Sequence, residues 1–419
     1  MTNRPDTGAA PRILVVSHCF DPEPFRINQV VADLVAAGGR LTVLTGQPNY
    51  PDGDIYPGYR ASGSGIEWHP SGYDIARVPV VPRGNGRAVR LILNYLSFIA
   101  SGILVGSWLL RGRRFDTVFV YATSPAIQGY VGLWFGLIKR AAVVQWIQDL
   151  WPEALSATGF VHSRSLLAPI RAAVSTMYRA SSLVLGQSHA FVRHLAPQAG
   201  RTPVAHFPNP GEHPVPSAGA AAGPDLGPGF HIVFGGNLGK AQGLPGVIAA
   251  ADLLRDDPDV HVTLFGSGTM IEWMRAEIAR RSLANVTLGG RMPPAAMPGL
   301  YAQASALLLT LVDDPLLAQT VPSKLQSYLA TGVPIVVAVN GEAADIVRRS
   351  GGGIACAPDD PAALADAIRT LKAMPAAERA AMGAAGCRFF ADNYNPDRLS
   401  RQLLTLLANP AAPRLLEDS

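Results

Sequence analysis

The chain is short of cysteine, of lysine and of charge altogether. Three cysteines, Cys19, Cys356 and Cys387, stand far apart in 419 residues. They form no disulfide framework and no zinc-ligand spacing, which points to a reducing compartment such as the cytosol. Only four lysines (Lys139, Lys240, Lys324 and Lys372) accompany 31 arginines. A lysine retained in a chain that otherwise writes arginine is worth examining. Charged residues make up 16% and the net charge is +4, with no basic run interleaved with aromatics. Nucleic acid is therefore not an expected partner. The first twelve residues are polar and lack the apolar stretch of a signal peptide. His18 and His69 stand alone, without ligand spacing, and no Ser-His-Asp arrangement is legible. No metal is expected.

Apolar residues are plentiful, at 48%, which excludes a disordered chain. The 42 glycines and 35 prolines follow no G-X-Y period, which excludes collagen. At about 150 residues per domain the length predicts two or three units. The pattern favours two. Short apolar runs at 13–17, 41–45, 117–121, 142–147 and 183–186 alternate with helical patterns such as 26–37 and 165–180. Such alternation predicts an α/β fold with parallel sheets covered on both faces. Residues 208–229 are rich in Pro, Gly and Ala without a period and read as a linker. Beyond them the rhythm restarts through 231–234, 244–254, 260–265, 270–279, 286–288, 306–311, 323–330, 334–339 and 361–371. The tail 375–407 is mostly helical in pattern. The expected domains are 1–207, the linker 208–229, a second domain 230–391, and a C-terminal helix in 392–419 packing back on the first.

Residues 91–110, LILNYLSFIASGILVGSWLL, hold no charge. Their length permits a membrane span. Arg87, Arg90, Asn94, Ser97 and Ser101 fall on one narrow helical face, with Leu93, Leu96, Ile99, Ile103 and Leu110 mostly elsewhere. Three readings stand open: a buried crossover helix, a helix lying in a bilayer interface, and a span. The next apolar helix, 126–138, tips the balance toward membrane contact. Arg83, Arg87, Arg90, Arg111, Arg113 and Arg114 suit an anionic lipid surface.

Three turns carry chemistry. Gly235-Gly236-Asn237-Leu238-Gly239-Lys240 follows a strand, and Gly266-Ser267-Gly268 follows the next. Glycine turns let backbone N–H groups approach phosphates, and Lys240 adds a charge. The spacing is neither a P-loop nor GxGxxG. Gln319-Thr320-Val321-Pro322-Ser323-Lys324 precedes a helix bearing Ser327 and Tyr328, a further place for a diphosphate. Asp52-Gly53-Asp54 resembles a metal motif, but its Pro- and Gly-bracketed context is that of a turn.

Together, GNLGK, GSG and PSK-x-x-x-Y-L-A-x-G-x-P resemble retaining glycosyltransferases of family 4, which have the GT-B fold. The first half adds G-x-P-N-Y-P-x-G at 46–53 and Q-D-L-W-P-E at 148–153. These strings are similar to the subgroup that builds colanic acid and O-antigen or capsule repeats, including N-acetyl-fucosaminyl transferases. The resemblance spans about residues 12–405. It implies two Rossmann-like domains facing each other across a cleft, and no bound metal or cofactor. The donor would be a nucleoside-diphosphate sugar, UDP-linked and of the aminosugar type. The acceptor would be a polyprenyl-diphosphate-linked saccharide, met by a peripheral protein at the inner face of a bacterial membrane. Lys240 would meet the donor diphosphate, with Gly236, Asn237, Gly266, Gly268, Thr320, Val321 and Lys324 around it. Asn237 stands where many relatives carry arginine, so Arg291 or Arg26 would substitute. The family's two glutamates fall on Gln319 and Ser327. Asp149 or Glu153 would orient the acceptor or take its proton, and Asn49 and Tyr50 would contact it. The rivals are a sugar-nucleotide 2-epimerase on the same fold and a degenerate, non-catalytic sugar-nucleotide-binding protein.

Overall fold

A computed structural model of the chain describes residues 10–84, 88–157, 164–213 and 223–411. The apolar runs become strands because each is buried on both faces: Ile13 to Val16 are fully enclosed, as are Val118 to Val120. In chain order come β1 (Arg12–Val16), α1 (Arg26–Ala36), β2 (Arg40–Thr45), β3 (Gly65–His69), β4 (Tyr73–Arg77), α2 (Ala88–Leu109) and β5 (Thr117–Ala122). Next are α3 (Gly129–Lys139), β6 (Ala142–Ile147), α4 (Glu153–Ala157), α5 (Arg164–Arg179), β7 (Leu183–Gly186), α6 (His189–Ala199) and β8 (Val204–His206). The sheet order is β3-β4-β2-β1-β5-β6-β7-β8. Only β3 runs antiparallel, as a hairpin with β4 at the sheet edge. The chain order reverses at β1, so the crevice beyond the ends of β1 and β5 is where such a sheet binds ligands.

The second sheet follows with β9 (Phe230–Asn237), α7 (Leu244–Leu253), β10 (Val260–Ser267), α8 (Ile271–Arg281), β11 (Val286–Gly290), α9 (Met297–Tyr301) and β12 (Ala306–Thr310). It is completed by α10 (Ser323–Leu329), β13 (Ile335–Ala338), α11 (Glu342–Ser350) and β14 (Gly353–Cys356), then α12 (Pro361–Ala373), α13 (Ala376–Asn393) and α14 (Pro396–Ala408). All its strands are parallel, in the order β11-β10-β9-β12-β13-β14. Its reversal lies at β9.

Two compact units result. One holds the chain up to Pro208 and again from Pro396; the other is Asn209–Asn395. Leu399, Leu403, Leu406 and Leu407 of α14 are buried in the core of the first unit beside Leu34 of α1. Thr117 Oγ1 donates to the Leu407 carbonyl at 2.6 Å. The boundary thus falls four residues later than the sequence suggests, because α13 runs on to Asn393 and stays with the second sheet through Phe390 and Tyr394. The stretch expected as a linker is not free chain where it is described. Gly211 N donates to Tyr394 O at 2.8 Å, and Leu226 N donates to Gln303 Oε1 at 3.2 Å. Residues 214–222 of that stretch lie outside the described residues, as do Arg87 and 412–419.

Helix α2 is built inside out. Asn94, Phe98, Gly102 and Gly106, one every fourth residue, form its buried stripe. Asn94 Nδ2 donates to Val81 O at 2.7 Å, Ser97 Oγ accepts from Val81 N at 2.9 Å, and Ser101 Oγ donates to Pro79 O at 2.6 Å. Gly102 and Gly106 leave room for Val131 and Leu44. The polar stripe therefore faces the protein. The outer face carries Val89, Ile92, Leu93, Leu96, Leu104 and Trp108, all exposed, with Trp134, Leu137 and Ile138 of α3 exposed beside it. Trp134 Nε1 donates to Ser107 Oγ at 2.8 Å. This corrects the buried-crossover reading: α2 is long and apolar enough to cross a membrane, yet only 17% of its most apolar window is enclosed by protein.

Candidate functional site

The second unit contains an open cavity of about 830 Å³ at the C-terminal ends of β9 and β10. Its floor is a glycine turn pair. Strands β9 and β10 stay in register to their last residues, so Gly236 lies opposite Gly266 and Asn237 opposite Ser267. Gly236 has φ +135° and Gly266 φ +144°, and a Cβ on Gly266 would collide with the Gly236 carbonyl. Only glycine allows two backbones to meet this way. Beneath them the buried Tyr328 hydroxyl accepts from Gly235 N at 3.0 Å and donates to Gly235 O at 3.3 Å.

One cation projects into this space from α10. Lys324 Nζ lies 3.8 Å from the centroid of the Phe234 ring and donates to Gln242 Oε1 at 2.7 Å. It makes no ion pair among the described residues. Burial pushes its ammonium down to about 7, since a dry site penalises charge. Arg291, Asn237, Ser323, Ser327 and Thr331 line the same wall, with Glu212 and His213 from the segment after β8. An unpaired ammonium facing open glycine turns is an arrangement that holds an anion.

Of the residues singled out in the sequence, the cavity gathers Gly236, Asn237, Gly266, Arg291, Lys324 and Ser327. It does not gather Lys240, Gly268, Gln319, Thr320 or Val321. Lys240 opens a short 3₁₀ turn and is exposed outside the cavity lining, whereas Lys324, the other lysine singled out for the donor, lines it. Gln319 Nε2 donates to Pro315 O at 3.0 Å and Thr320 Oγ1 to Leu317 O at 2.8 Å, both closing their own turn. Gly268 packs against the Leu238 backbone. Sequence reasoning missed Glu212 and His213, which sat in a segment with no periodicity.

The remaining candidates belong to the first unit. Asp149 Oδ2 accepts from both Ser124 N and Ser124 Oγ at 2.8 Å, which fixes the loop after β5. Glu153 is 3.0 Å from Arg171 and 3.6 Å from His194. Burial works to raise its carboxyl, but the contacts with His194 and Arg171 prevail and hold it down to about 2. Glu153 is thus engaged in an ion pair with Arg171, which favours its ionised form. Asn49 is buried, donating to Gln47 O at 2.8 Å and accepting from Arg83 N at 3.1 Å. Tyr50 lies between contacts with Phe25, 4.9 Å centroid to centroid, and Arg83, 5.1 Å. Arg26 is the first residue of α1. Asp52-Gly53-Asp54 is a turn in which Gly53, at φ +90°, abuts Gly84. Among the described residues no group of three or more His, Cys, Asp or Glu comes together.

Two parallel-sheet Rossmann-like units of this kind recur in solved structures. Sucrose-phosphate synthase from Thermosynechococcus elongatus superposes with a TM-score of 0.69 over 98% of this chain and 100% of its own, at 15% identity. HepE from Anabaena, solved with UDP, gives a TM-score of 0.66 over 95% and 99%, at 16% identity. The fold is GT-B. Within it, residues 229–373 match the family described as glycosyl transferases group 1, and that segment contains nearly the whole cavity wall. A probable glycosyltransferase, WbjE of Pseudomonas aeruginosa, is 24% identical over 309 residues, 68% of this chain and 73% of its own length.

Proposed function

We propose that the protein is a retaining glycosyltransferase that takes a sugar from a nucleoside diphosphate, UDP by preference. The acceptor is a polyprenyl-diphosphate-linked saccharide of bacterial surface polysaccharide, and the sugar moved is of the aminosugar type. The observation that carries the reading is Lys324: a half-buried ammonium without an ion pair among the described residues, over the Gly236–Gly266 turns, in the segment that matches group 1 glycosyl transferases. Charge grows on the diphosphate as the sugar leaves, and a fixed cation stabilises that state more than the ground state. Lys324 and the glycine-turn N–H groups supply this without a bound metal. Solved GT-B neighbours that hold UDP or UDP-glucose support the choice of nucleotide.

The outer face of α2 supports an acceptor that lives in lipid. A polyprenyl tail keeps its diphosphate at the headgroup plane, and a protein with a long exposed apolar ridge gains by docking there. The reading places the protein on the cytoplasmic face, held peripherally by α2 and α3. The test is to incubate the protein with UDP-sugars and a lipid-diphosphate saccharide, with and without chelator. The expected result is UDP release dependent on both substrates, a product of retained anomeric configuration by NMR, and no loss in chelator. UDP failing to bind the second unit would overturn the reading.

A further inference from the structure

The first unit holds another cation without an ion pair among the described residues. Arg83 lies in the segment after β4, shortly before α2 begins. Its backbone N–H is fixed by Asn49 Oδ1 at 3.1 Å, and its guanidinium stacks 5.1 Å from the Tyr50 ring centroid. Tyr50 is itself held against Phe25, and its backbone N–H donates to the buried Glu23 Oε1 at 2.7 Å, as does that of Asn49 at 2.8 Å. The guanidinium is thus oriented from below. It makes no hydrogen bond or ion pair among the described residues, although five N–H donors are available. Arg90, in the first turn of α2, brings its stem within 4.0 Å of where a Cβ on the neighbouring Gly84 would stand. Helix α2 then begins with no acidic residue in its first turn, and its outer face presents Val89, Ile92, Leu93 and Leu96.

We propose that Arg83, stacked on Tyr50, is the anion subsite for the phosphate of an amphiphilic acceptor whose hydrocarbon chain lies along the outer face of α2. A planar guanidinium with a free edge matches phosphate oxygens two at a time. The ridge alone would take any apolar chain, and the arginine alone any small anion. A single ligand with both parts, a lipid phosphate or diphosphate, uses both. A nucleotide fits less well, because the Tyr50 ring is already engaged by Phe25 and the guanidinium and offers no open stacking platform. This subsite rests on the acceptor class proposed above and gives it a residue.

Farnesyl diphosphate serves as a soluble probe, with farnesol and inorganic diphosphate as its two halves, read by the fluorescence of Trp108 and Trp134 and by calorimetry. Farnesyl diphosphate should bind at least tenfold more tightly than either half. Arg83→Gln should weaken farnesyl diphosphate at least tenfold and leave farnesol unchanged, with Arg83→Lys intermediate. Leu96→Ser should weaken both farnesyl diphosphate and farnesol. UDP affinity, which reports on the second unit, should be the same in all three variants, as should the melting temperature within a few degrees. Equal farnesyl diphosphate affinity in wild type and Arg83→Gln would overturn the assignment. So would inorganic diphosphate binding as tightly as the lipid form, which would make this a free-phosphate site. So would a loss, in Arg83→Gln, of binding to phosphatidylglycerol vesicles with no loss for farnesyl diphosphate, which would make Arg83 a general membrane contact. If UDP does not bind either, the functional reading itself fails; if UDP binds and farnesyl diphosphate does not, only the subsite fails.

Discussion

Replacing Lys324 by methionine removes the charge but keeps most of the stem against Phe234. The ammonium has no carboxylate partner and one neutral one, Gln242, so the substitution orphans no buried charge. On the proposed function it also removes the cation that would meet the leaving diphosphate. Loss of one preorganised donor of this kind costs about 2.7–4 kcal/mol in the transition state, roughly a hundred- to a thousandfold in kcat/KM. A second signature comes from pH. In the free protein the ammonium titrates at about 7 because burial penalises its charge. A bound diphosphate favours the charged form, so its pKa rises and binding takes up a proton above pH 7. UDP affinity should then be highest at and just below pH 7 and fall about tenfold by pH 8.5, since the limit is tenfold per pH unit for one proton. The sign for folding is opposite. The unfolded lysine, near its ordinary value, holds the proton more tightly than the folded one, so the buried charge costs stability fully below about pH 7, and the cost is relieved as pH rises through 7 toward about 10.4. Lys324→Met should flatten both profiles. Calorimetry of UDP binding from pH 6.5 to 8.5, beside initial rates, decides. A methionine variant within threefold of wild type, with the same pH dependence, would refute the reasoning.

Lys240→Ala should change kcat/KM by less than about threefold, because this lysine is exposed beyond the cavity wall; a hundredfold loss would restore it to the diphosphate. Gly266→Ala should lower stability by at least about 2 kcal/mol in chemical denaturation, since φ +144° and the Gly236 carbonyl both exclude a Cβ; an unchanged midpoint would mean the two turns are not so closely apposed. Glu153→Gln should leave the rate within several-fold but cost about 1 kcal/mol near neutrality. That contribution is present above the unfolded carboxyl's pKa and disappears as pH falls toward 2, so the two proteins should melt alike at pH 2 and differently at pH 7. Leu104→Ser with Trp108→Ser should release the protein from anionic vesicles without altering its melting temperature, both side chains being more than 60% exposed; unfolding instead would show that the ridge is packed.

Most of the fold was legible because each unit repeats one device, an apolar strand buried on both faces followed by an amphipathic helix. The runs at 142–147 and 183–186 are strands at those very bounds. The hairpin β3–β4 was not legible: Ile66 and Trp68 lie exposed at the sheet edge, so they impose no in-out alternation. Strand β14 was hidden for another reason, since Gly352 and Gly353 pack into spaces that exclude side chains and leave no hydrophobic signal. Helix α2 misled by its own pattern. Asn94, Ser97 and Ser101 share one narrow face, a pattern that suits a helix lying in a bilayer interface with its polar side outward. Here they satisfy the backbone of Pro79 and Val81, a segment with no strand neighbour to pair it.

Two glycines that line the cavity were singled out in the sequence, as was its lysine, Lys324, though behind Lys240, and the reason is geometric. Gly236 and Gly266 sit on adjacent strands at the same register, so two strand-plus-glycine strings in sequence translate directly into one floor in space. A side chain after such a turn has no register to follow. Lys240 stands four residues past Gly236 on a 3₁₀ turn and is carried outward, whereas Lys324, some 90 residues on, returns with its stem 3.2 Å from where a Gly236 Cβ would be. That contact also explains the glycine: a methyl there would crowd the lysine stem. The sequence-level scarcity of lysine drew attention to both residues and favoured Lys240 over Lys324, whereas the cavity is lined by Lys324. The distinguishing fact is desolvation. Lys324 is half-buried against Phe234 and bonded to one amide, and a partly desolvated cation gains from a diphosphate.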